Sequence, residues 1–264
     1  MTYLIAALLG VVQGVTEFLP VSSTAHLLVA ERLLGYEDRG GAFTVMIQLG
    51  SILAIVWLYR ARLVAVLRGV PSDPDARHFA LALLVAVVPA LVAGAFLADY
   101  VQVVLYESVN VIAGALIAGG VVMLLVERFR PAPVVRDVEK TPMSQAFGVG
   151  VCQVLALVPG VSRSGATIVG GMLMRLDRPA AAEFSFFLAI PTMVAAFAYE
   201  LVQVRAHLGP ERGAEIVIGF VMAFVASAVV VKPFLSFVRR SGFSPCAWYR
   251  IAFGAGLLAM VRGS

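Results

Sequence analysis

The sequence predicts an all-α integral membrane protein with an inverted-topology repeat, built from about six transmembrane helices and two re-entrant helix-loop-helix hairpins. Three observations favour this architecture: an apolar composition, six apolar runs that approach spanning length, and two short segments broken by proline, glycine and serine. Of the 264 residues, 61% are hydrophobic and only 14% are charged, whereas soluble domains carry about 25% charged residues. The whole chain, 1–264, is therefore predicted to be a single domain in a lipid bilayer.

The first predicted element is a re-entrant hairpin at residues 4–34. Its first apolar stretch, residues 4–17, is shorter than the roughly 20 residues that a spanning helix needs. A turn rich in proline and hydroxyl residues follows, and residues 25–34 form a second short helix that a serine can cap. Such irregular backbone is tolerated in a membrane only where protein or a watery cavity surrounds it.

Three predicted spans complete the first repeat, 1–130, and three more complete the second repeat, 143–264. The last of them contains Arg250 near its start. The six apolar runs are residues 42–59, 79–97, 108–126, 184–199, 216–231 and 245–261.

The second predicted hairpin, residues 144–175, carries an arginine in its turn. Pro159 and Gly160 prevent one continuous helix, and Ser162 or Ser164 can cap a new helix that starts near residue 165. Residues 146–158 and 168–174 contain no charge, so Arg163 is predicted to lie at membrane depth. An arginine there is costly, which favours a functional role.

The two hairpins share a pattern. Residues 10–13 read Gly-Val-Val-Gln and residues 150–153 read Gly-Val-Cys-Gln; residues 21–24 align with residues 161–164 at the same offset. Each half would contain one hairpin and three spans, and an odd number of crossings inverts the second half. The repeat therefore predicts that the hairpins enter from opposite faces and meet near the midplane.

Loop charges predict the orientation. The net charge of +4 fits the basic loops of a membrane protein and gives no reason to invoke nucleic acid. By the positive-inside rule the basic loops face the cytoplasm, so both termini and the opening of the first hairpin would lie outside. These loops contain Arg60, Arg62, Arg68, Arg77, Arg128, Arg130, Arg136, Lys140, Arg239 and Arg240.

The meeting point of the two turns has the composition of an anion site. Two interior helix N-termini would direct amide groups and positive dipole ends toward Arg163. Several amide donors with an arginine fork suit a phosphate or diphosphate better than a single carboxylate. Hydroxyl groups surround this point, from Ser22, Ser23, Ser162, Ser164 and Thr167.

Groups that could bind a cation or move a proton lie in the first hairpin. Gln13 and Glu17 are four residues apart, so both can face one cavity. Glu17 follows a helix C-terminus, where carbonyls and a carboxylate together favour a cation. His26 can transfer a proton near neutral pH.

Two motifs resemble the signatures of the bacterial undecaprenyl-diphosphate phosphatase family, the integral-membrane type associated with bacitracin resistance. They are Gln13-Gly-Val-Thr-Glu17-Phe-Leu-Pro-Val-Ser-Ser-Thr-Ala-His26 and Pro159-Gly-Val-Ser-Arg-Ser-Gly-Ala-Thr167. The resemblance covers nearly the whole chain. It implies an enzyme of the bacterial inner membrane that hydrolyses undecaprenyl diphosphate to undecaprenyl phosphate and inorganic phosphate, which recycles the carrier lipid for cell-wall synthesis.

The resemblance also implies a divalent cation, Mg²⁺ or Ca²⁺. The family carries Glu or Gln at the position of Gln13, so Glu17 is the sole carboxylate of this pair, and both are candidate metal ligands. Arg163 is expected to clamp the diphosphate. The nucleophile is either Ser23 or Thr24, activated by His26 or Glu17, or a water activated by His26 with help from the metal.

The remaining candidate substrate-binding residues are polar side chains beside the same turns. Together with Thr24 they are Gln13, Ser22, Ser162, Ser164 and Thr167. A plainer interpretation is that Ser22 and Thr167 only hydrogen-bond the backbone, and that Arg163 and Glu17 form a structural ion pair.

A second class of function uses the same plan. A polyprenyl-phosphate flippase or an anion transporter also employs inverted repeats with a midplane site, and the fold alone does not separate it from an enzyme. Proximity of Glu17, Ser23 and His26 to Arg163 favours the hydrolase, since a carrier needs the clamp but has less use for a base and a nucleophile. A homodimer is left open.

Overall fold

The computed structural model describes residues 2–38, 41–104, 108–204 and 212–263, and within these ranges every element of regular structure is a helix. Short 3₁₀ turns at Val138–Lys140 and Val154–Leu157 flank the helix Met143–Gln153. The helices are α1 (Thr2–Thr16), α2 (Ser23–Leu34), α3 (Ala42–Leu58), α4 (Arg60–Gly69), α5 (Pro74–Val104), α6 (Val109–Phe129), α7 (Met143–Gln153), α8 (Arg163–Leu173), α9 (Arg178–Val204), α10 (Gly213–Ser241) and α11 (Ser244–Gly263).

Both predicted breaks are present. The first turn, residues 17–22, separates α1 from α2, and the second turn, residues 158–162, follows the 3₁₀ turn after α7. The helix α8 begins at Arg163, two residues earlier than predicted, because Ser162 is the cap and its Oγ accepts a hydrogen bond from the amide of Gly165 at 3.1 Å.

The residues that end the two turns have the same unusual backbone conformation. Ser22 has φ 72° and Ser162 has φ 73°, in the left-handed region that residues other than glycine rarely adopt. Each such residue costs about 1–3 kcal/mol, which the surrounding structure must offset. The shared geometry at two positions that the repeat aligns supports the predicted inverted repeat, which stays a prediction.

The long helices agree with a multi-pass membrane protein. Four described segments are long and apolar enough to cross a bilayer: Pro74–Leu97, Val109–Phe129, Arg178–Val202 and Gly213–Ser241. A fifth exists if α3 and α4, bent by 72° at Tyr59, are one span. The run predicted as the sixth span is helical in α11 and contains the buried Arg250, and the total of six stays a prediction.

Small residues let the short helices approach the long ones closely. A Cβ atom added to Gly10 of α1 would lie 2.3 Å from the carbonyl oxygen of Gly219 in α10. A Cβ atom added to Gly150 of α7 would lie 2.3 Å from the carbonyl oxygen of Ala86 in α5. Backbone contact of this kind is typical of membrane helices. Each hairpin therefore packs on a long helix from the other half of the chain.

Ion pairs tie the segments together away from the turns. Arg178 at the start of α9 pairs with Glu127 of α6 at 2.6 Å, and Glu127 also accepts the amide of Phe243. Arg62 of α4 bridges Glu139 and Glu183. These pairs join helix ends to the connecting segments. The buried carboxylate of Glu127 requires hydrogen-bond donors, which Arg178 and the amide of Phe243 supply.

Candidate functional site

The two turns contact each other directly through side chains. Nη2 of Arg163 in the second hairpin donates to Oε1 of Glu17 in the first at 3.0 Å. The Oγ of Ser164 donates to the carbonyl oxygen of Leu19 at 2.9 Å. The arginine that the sequence singled out therefore lies against the motif of the opposite half.

Glu17 is the centre of this contact. Its side chain is buried, and its second oxygen, Oε2, accepts hydrogen bonds from Nε2 of Gln13 at 2.9 Å and from Oγ of Ser23 at 2.7 Å. The hydroxyl hydrogen of Ser23 thus points at a carboxylate, and its oxygen lone pairs remain available. This is the distance expected of a nucleophile and its general base.

Arg163 keeps unused donor capacity in this arrangement. Its Nη1 donates to the carbonyl oxygen of Ser185 at 3.2 Å, and the guanidinium carbon lies 5.7 Å from the ring centroid of Phe18. Among the residues that the structure describes, its buried Nε has no hydrogen-bond partner, and neither has Oε1 of Gln13. Buried polar groups are normally paired, and both atoms belong to side chains that hydrogen-bond Glu17.

The N-terminus of α2 has no side-chain cap. Ser22, its N-cap residue, makes no side-chain hydrogen bond to the helix, unlike Ser162 at the start of α8. Unpaired amides at a helix N-terminus bind phosphate groups well. Thr24 lies in this first turn and is half-buried, next to Ser23, which is hydrogen-bonded to Glu17.

The other predicted hydroxyls brace the second turn. Oγ1 of Thr167 donates to the carbonyl oxygen of Arg163 at 2.9 Å and lies 2.6 Å from Oγ of Ser185. The hydroxyls of Ser162 and Ser164 are 3.1 Å apart. In this arrangement Thr167 bonds the backbone of Arg163, and the two serine hydroxyls bond each other, the carbonyl oxygen of Leu19 and the amide of Gly165.

His26 is directed away from Ser23. Its Nδ1 lies 2.7 Å from the carbonyl oxygen of Ser22, and its Nε2 lies 2.6 Å from the hydroxyl of Tyr249. Because a carbonyl only accepts, we assign the ring proton to Nδ1, and Nε2 then accepts from Tyr249. The ring also stacks on Phe253 at 4.3 Å. The group within reach of the Ser23 hydroxyl is Glu17.

The helix α11 contributes residues that the sequence analysis did not select for the site. Tyr249 and Phe253 hold the ring of His26, and Arg250, which is 1% exposed, donates to backbone carbonyls of both turns. The available signal was a charge inside an apolar run, the same signal that identified Arg163.

Glu17 and Gln13 fit a divalent cation that is also bound by the phosphate groups of a substrate. Among the described residues, no three His, Cys, Asp or Glu side chains form a metal-binding cluster. Glu17 is the one carboxylate of the pair with Gln13, and the unpaired Oε1 of Gln13 belongs to the same contact. Mg²⁺ is usually held by one or two carboxylates together with water and substrate phosphates, which this set of oxygens permits.

Comparison with known proteins gives consistent matches over nearly the full length. Residues 6–256 match the family described as "Bacitracin resistance protein BacA". The chain is 48% identical over 258 residues to the "Undecaprenyl-diphosphatase" of Cereibacter sphaeroides strain ATCC 17029, covering 98% of this chain and 96% of the relative. It is 49% identical over 257 residues to the "Undecaprenyl-diphosphatase 1" of Agrobacterium fabrum, covering 97% of this chain and 96% of the relative.

Proposed function

We propose, from the premise that this chain belongs to the bacitracin resistance protein BacA family, that it is an undecaprenyl diphosphatase. It hydrolyses undecaprenyl diphosphate to undecaprenyl phosphate and inorganic phosphate, the activity that the names of its relatives state. The observation that carries this proposal is the contact of Arg163, Glu17 and Ser23 across two turns from opposite halves of the chain.

Arg163 binds the terminal phosphate and stabilises its charge. Phosphoryl transfer depends mainly on positioning and electrostatics, and a guanidinium whose side chain is only 14% exposed is effective because little water screens it. The unpaired Nε of Arg163 supports this role, since it offers the phosphate a donor without breaking the bond to Glu17. The first amides of α2 supply further donors.

Ser23 is the nucleophile and Glu17 is its general base. Oγ of Ser23 attacks the terminal phosphorus, its proton passes to Glu17, and the bond to the bridging oxygen breaks to release undecaprenyl phosphate. Water then cleaves the phosphoserine and releases inorganic phosphate. In the alternative route a water attacks directly; Glu17 and Ser23 would orient it rather than His26, because both ring nitrogens of His26 already have partners in Ser22 and Tyr249. The 2.7 Å contact between Ser23 and Glu17 supports the first route.

Gln13 and Glu17 would hold the divalent cation. When bound, Mg²⁺ or Ca²⁺ neutralises charge on the phosphate oxygens. The unpaired Oε1 of Gln13 supports its assignment as a ligand, and its Nε2 keeps Glu17 oriented toward Ser23.

The protein would lie in the bacterial inner membrane with both termini and the site opening on the periplasmic side. The basic loops support this orientation by the positive-inside rule. A substrate whose diphosphate lies at the outer leaflet could then reach the first turn without crossing the bilayer.

The flippase or transporter alternative has no support from the two relatives described above, both of which carry the name of a diphosphatase. A carrier would need the guanidinium of Arg163 but has no use for a serine hydroxyl bonded to a carboxylate. The purely structural interpretation of the pair of Arg163 and Glu17 does not account for the hydrogen bond that Ser23 donates to the same carboxylate.

The test is phosphate release from undecaprenyl diphosphate by purified protein in detergent. Arg163→Lys should lower kcat by about 10²–10³, since lysine places three donors on one nitrogen and cannot reproduce the fork. The matched control is Arg178→Lys, which alters another arginine–glutamate pair away from the turns and should retain wild-type kcat. Equal activity in the two variants would refute the role of Arg163, and no phosphate release by the wild type would refute the proposed function.

A further inference from the structure

Arg250 is a buried arginine with no carboxylate among its hydrogen-bond partners in the described part of the chain. It lies in the second turn of α11 and is 1% exposed. A buried guanidinium is costly unless its donors are satisfied, and an arginine at this depth favours a functional role.

Backbone carbonyls from three segments satisfy this guanidinium. One comes from the first turn, two come from the second turn, and two come from α6. The bonds run from Nη1 to Pro20 at 3.1 Å, from Nη2 to Gly160 at 3.1 Å, to Val161 at 2.9 Å and to Ala115 at 3.3 Å, and from Nε to Leu116 at 3.4 Å. A single planar group therefore fixes the two turns to each other and to α6.

The charge of Arg250 lies next to the start of α8. A Cβ atom added to Gly165 would lie 2.7 Å from its Nη1. The pair of Arg163 and Glu17 is neutral in sum, so Arg250 leaves a net positive charge at the junction of the turns. In a medium of low dielectric such a charge attracts an anion strongly.

We propose that Arg250 is a positioning residue for the hydrolysis: its fork holds the two turns in register, so that Ser23 and Arg163 meet around the phosphate, and its charge attracts the diphosphate. This inference rests on the proposed function. The two parts of the role separate by substitution, because lysine keeps the charge but loses the fork, and methionine loses both.

Arg250→Lys should therefore lower kcat by about 30-fold or more with KM within about twofold of wild type, since a misplacement of about 1 Å costs about 10² in rate. Arg250→Met should lower kcat similarly and also raise KM by about tenfold. A role in stability alone would produce no such dependence of KM on the charge at this position.

A second pair of variants moves Arg250 without replacing it. A Cβ atom on Gly119 of α6 would lie 2.2 Å from Nη2 of Arg250, whereas a Cβ atom on Gly114 of the same helix meets nothing within 4 Å. Gly119→Ala should lower kcat at least about tenfold, and Gly114→Ala, the matched control, should keep wild-type kcat. Both substitutions favour the helix intrinsically, so the comparison isolates the displaced guanidinium.

Amide hydrogen exchange, followed by mass spectrometry, gives a readout independent of activity. Exchange should rise in both turns, residues 17–22 and 158–162, in Arg250→Lys and Gly119→Ala but not in Gly114→Ala.

Should Arg250→Lys fail to fold, Gly119→Ala decides the question alone. Wild-type kcat and unchanged exchange in Gly119→Ala would overturn the inference. If wild type and Gly114→Ala release no phosphate, the proposed function fails, while the exchange result still reports on the link between the turns.

Discussion

The hydrogen bond between Ser23 and Glu17 predicts that the two residues act as one catalytic unit. Their atoms Oγ and Oε2 are 2.7 Å apart, within the range for proton transfer in the attack step. We therefore expect Ser23→Ala and Glu17→Gln to cause similar losses of kcat. The double variant should lose no more than the more damaged of the two single variants, since residues that act as a unit are not additive.

The size of the loss follows from the contacts. General-base catalysis contributes about 10²–10⁴ in rate, so each single variant should lose about that factor. Independent contributions of about 10³ each would instead multiply to about 10⁶. Glu17→Gln also leaves Arg163 without its charged partner, which costs stability. Rates are therefore compared per folded protein, with thermal unfolding in detergent measured for every variant.

The assay is phosphate release at saturating substrate for the wild type, the two single variants and the double variant. Ser51→Ala is the matched control, because Ser51 is a buried serine of α3 whose hydroxyl has no hydrogen-bond partner. It should keep wild-type kcat. Multiplicative losses in the double variant would contradict the coupling of Ser23 to Glu17.

Two further predictions test the cation site and the packing. Gln13→Glu places a second carboxylate beside Glu17, so it should lower the Mg²⁺ concentration for half-maximal activity by about tenfold. This corresponds to about 1.4 kcal/mol of Mg²⁺ binding free energy. Unchanged Mg²⁺ dependence would exclude position 13 as a ligand. Gly14→Ala should destabilise by about 1–3 kcal/mol, because its Cβ would lie 2.4 Å from the carbonyl oxygen of Ala223. Gly94→Ala should unfold at the wild-type temperature, because no atom of the described residues lies within 4 Å of the added Cβ atom.

The broken helices could be predicted because their causes are local. Pro159 and Gly160 end a helix through their own backbone properties, and Ser162 begins the next by capping it. The apolar runs likewise coincide with helices because their length and composition suffice. The bend at Tyr59 between α3 and α4 was not predicted, since no proline or glycine marks it in the sequence.

The sequence predicted most of the residues of the site but not the contacts that they make. The contact of Arg163 with Glu17 followed from the aligned motifs, yet the direction of His26 toward Tyr249 depends on where α11 packs. The role of Arg250 was equally hidden, because its partners are backbone carbonyls, which leave no trace in residue identity. Long-range contacts of this kind require the assembled fold.

The central claim, that two turns from opposite halves jointly bind a phosphate pair, is tested most directly by an experimental structure with a non-hydrolysable polyprenyl diphosphate analogue. We predict the terminal phosphate within hydrogen-bond distance of Nε of Arg163 and of the first amides of α2, with Oγ of Ser23 facing the phosphorus. An analogue bound elsewhere, with Arg163 still bonded to Glu17, Ser185 and Met193 and not to the phosphate, would contradict the account.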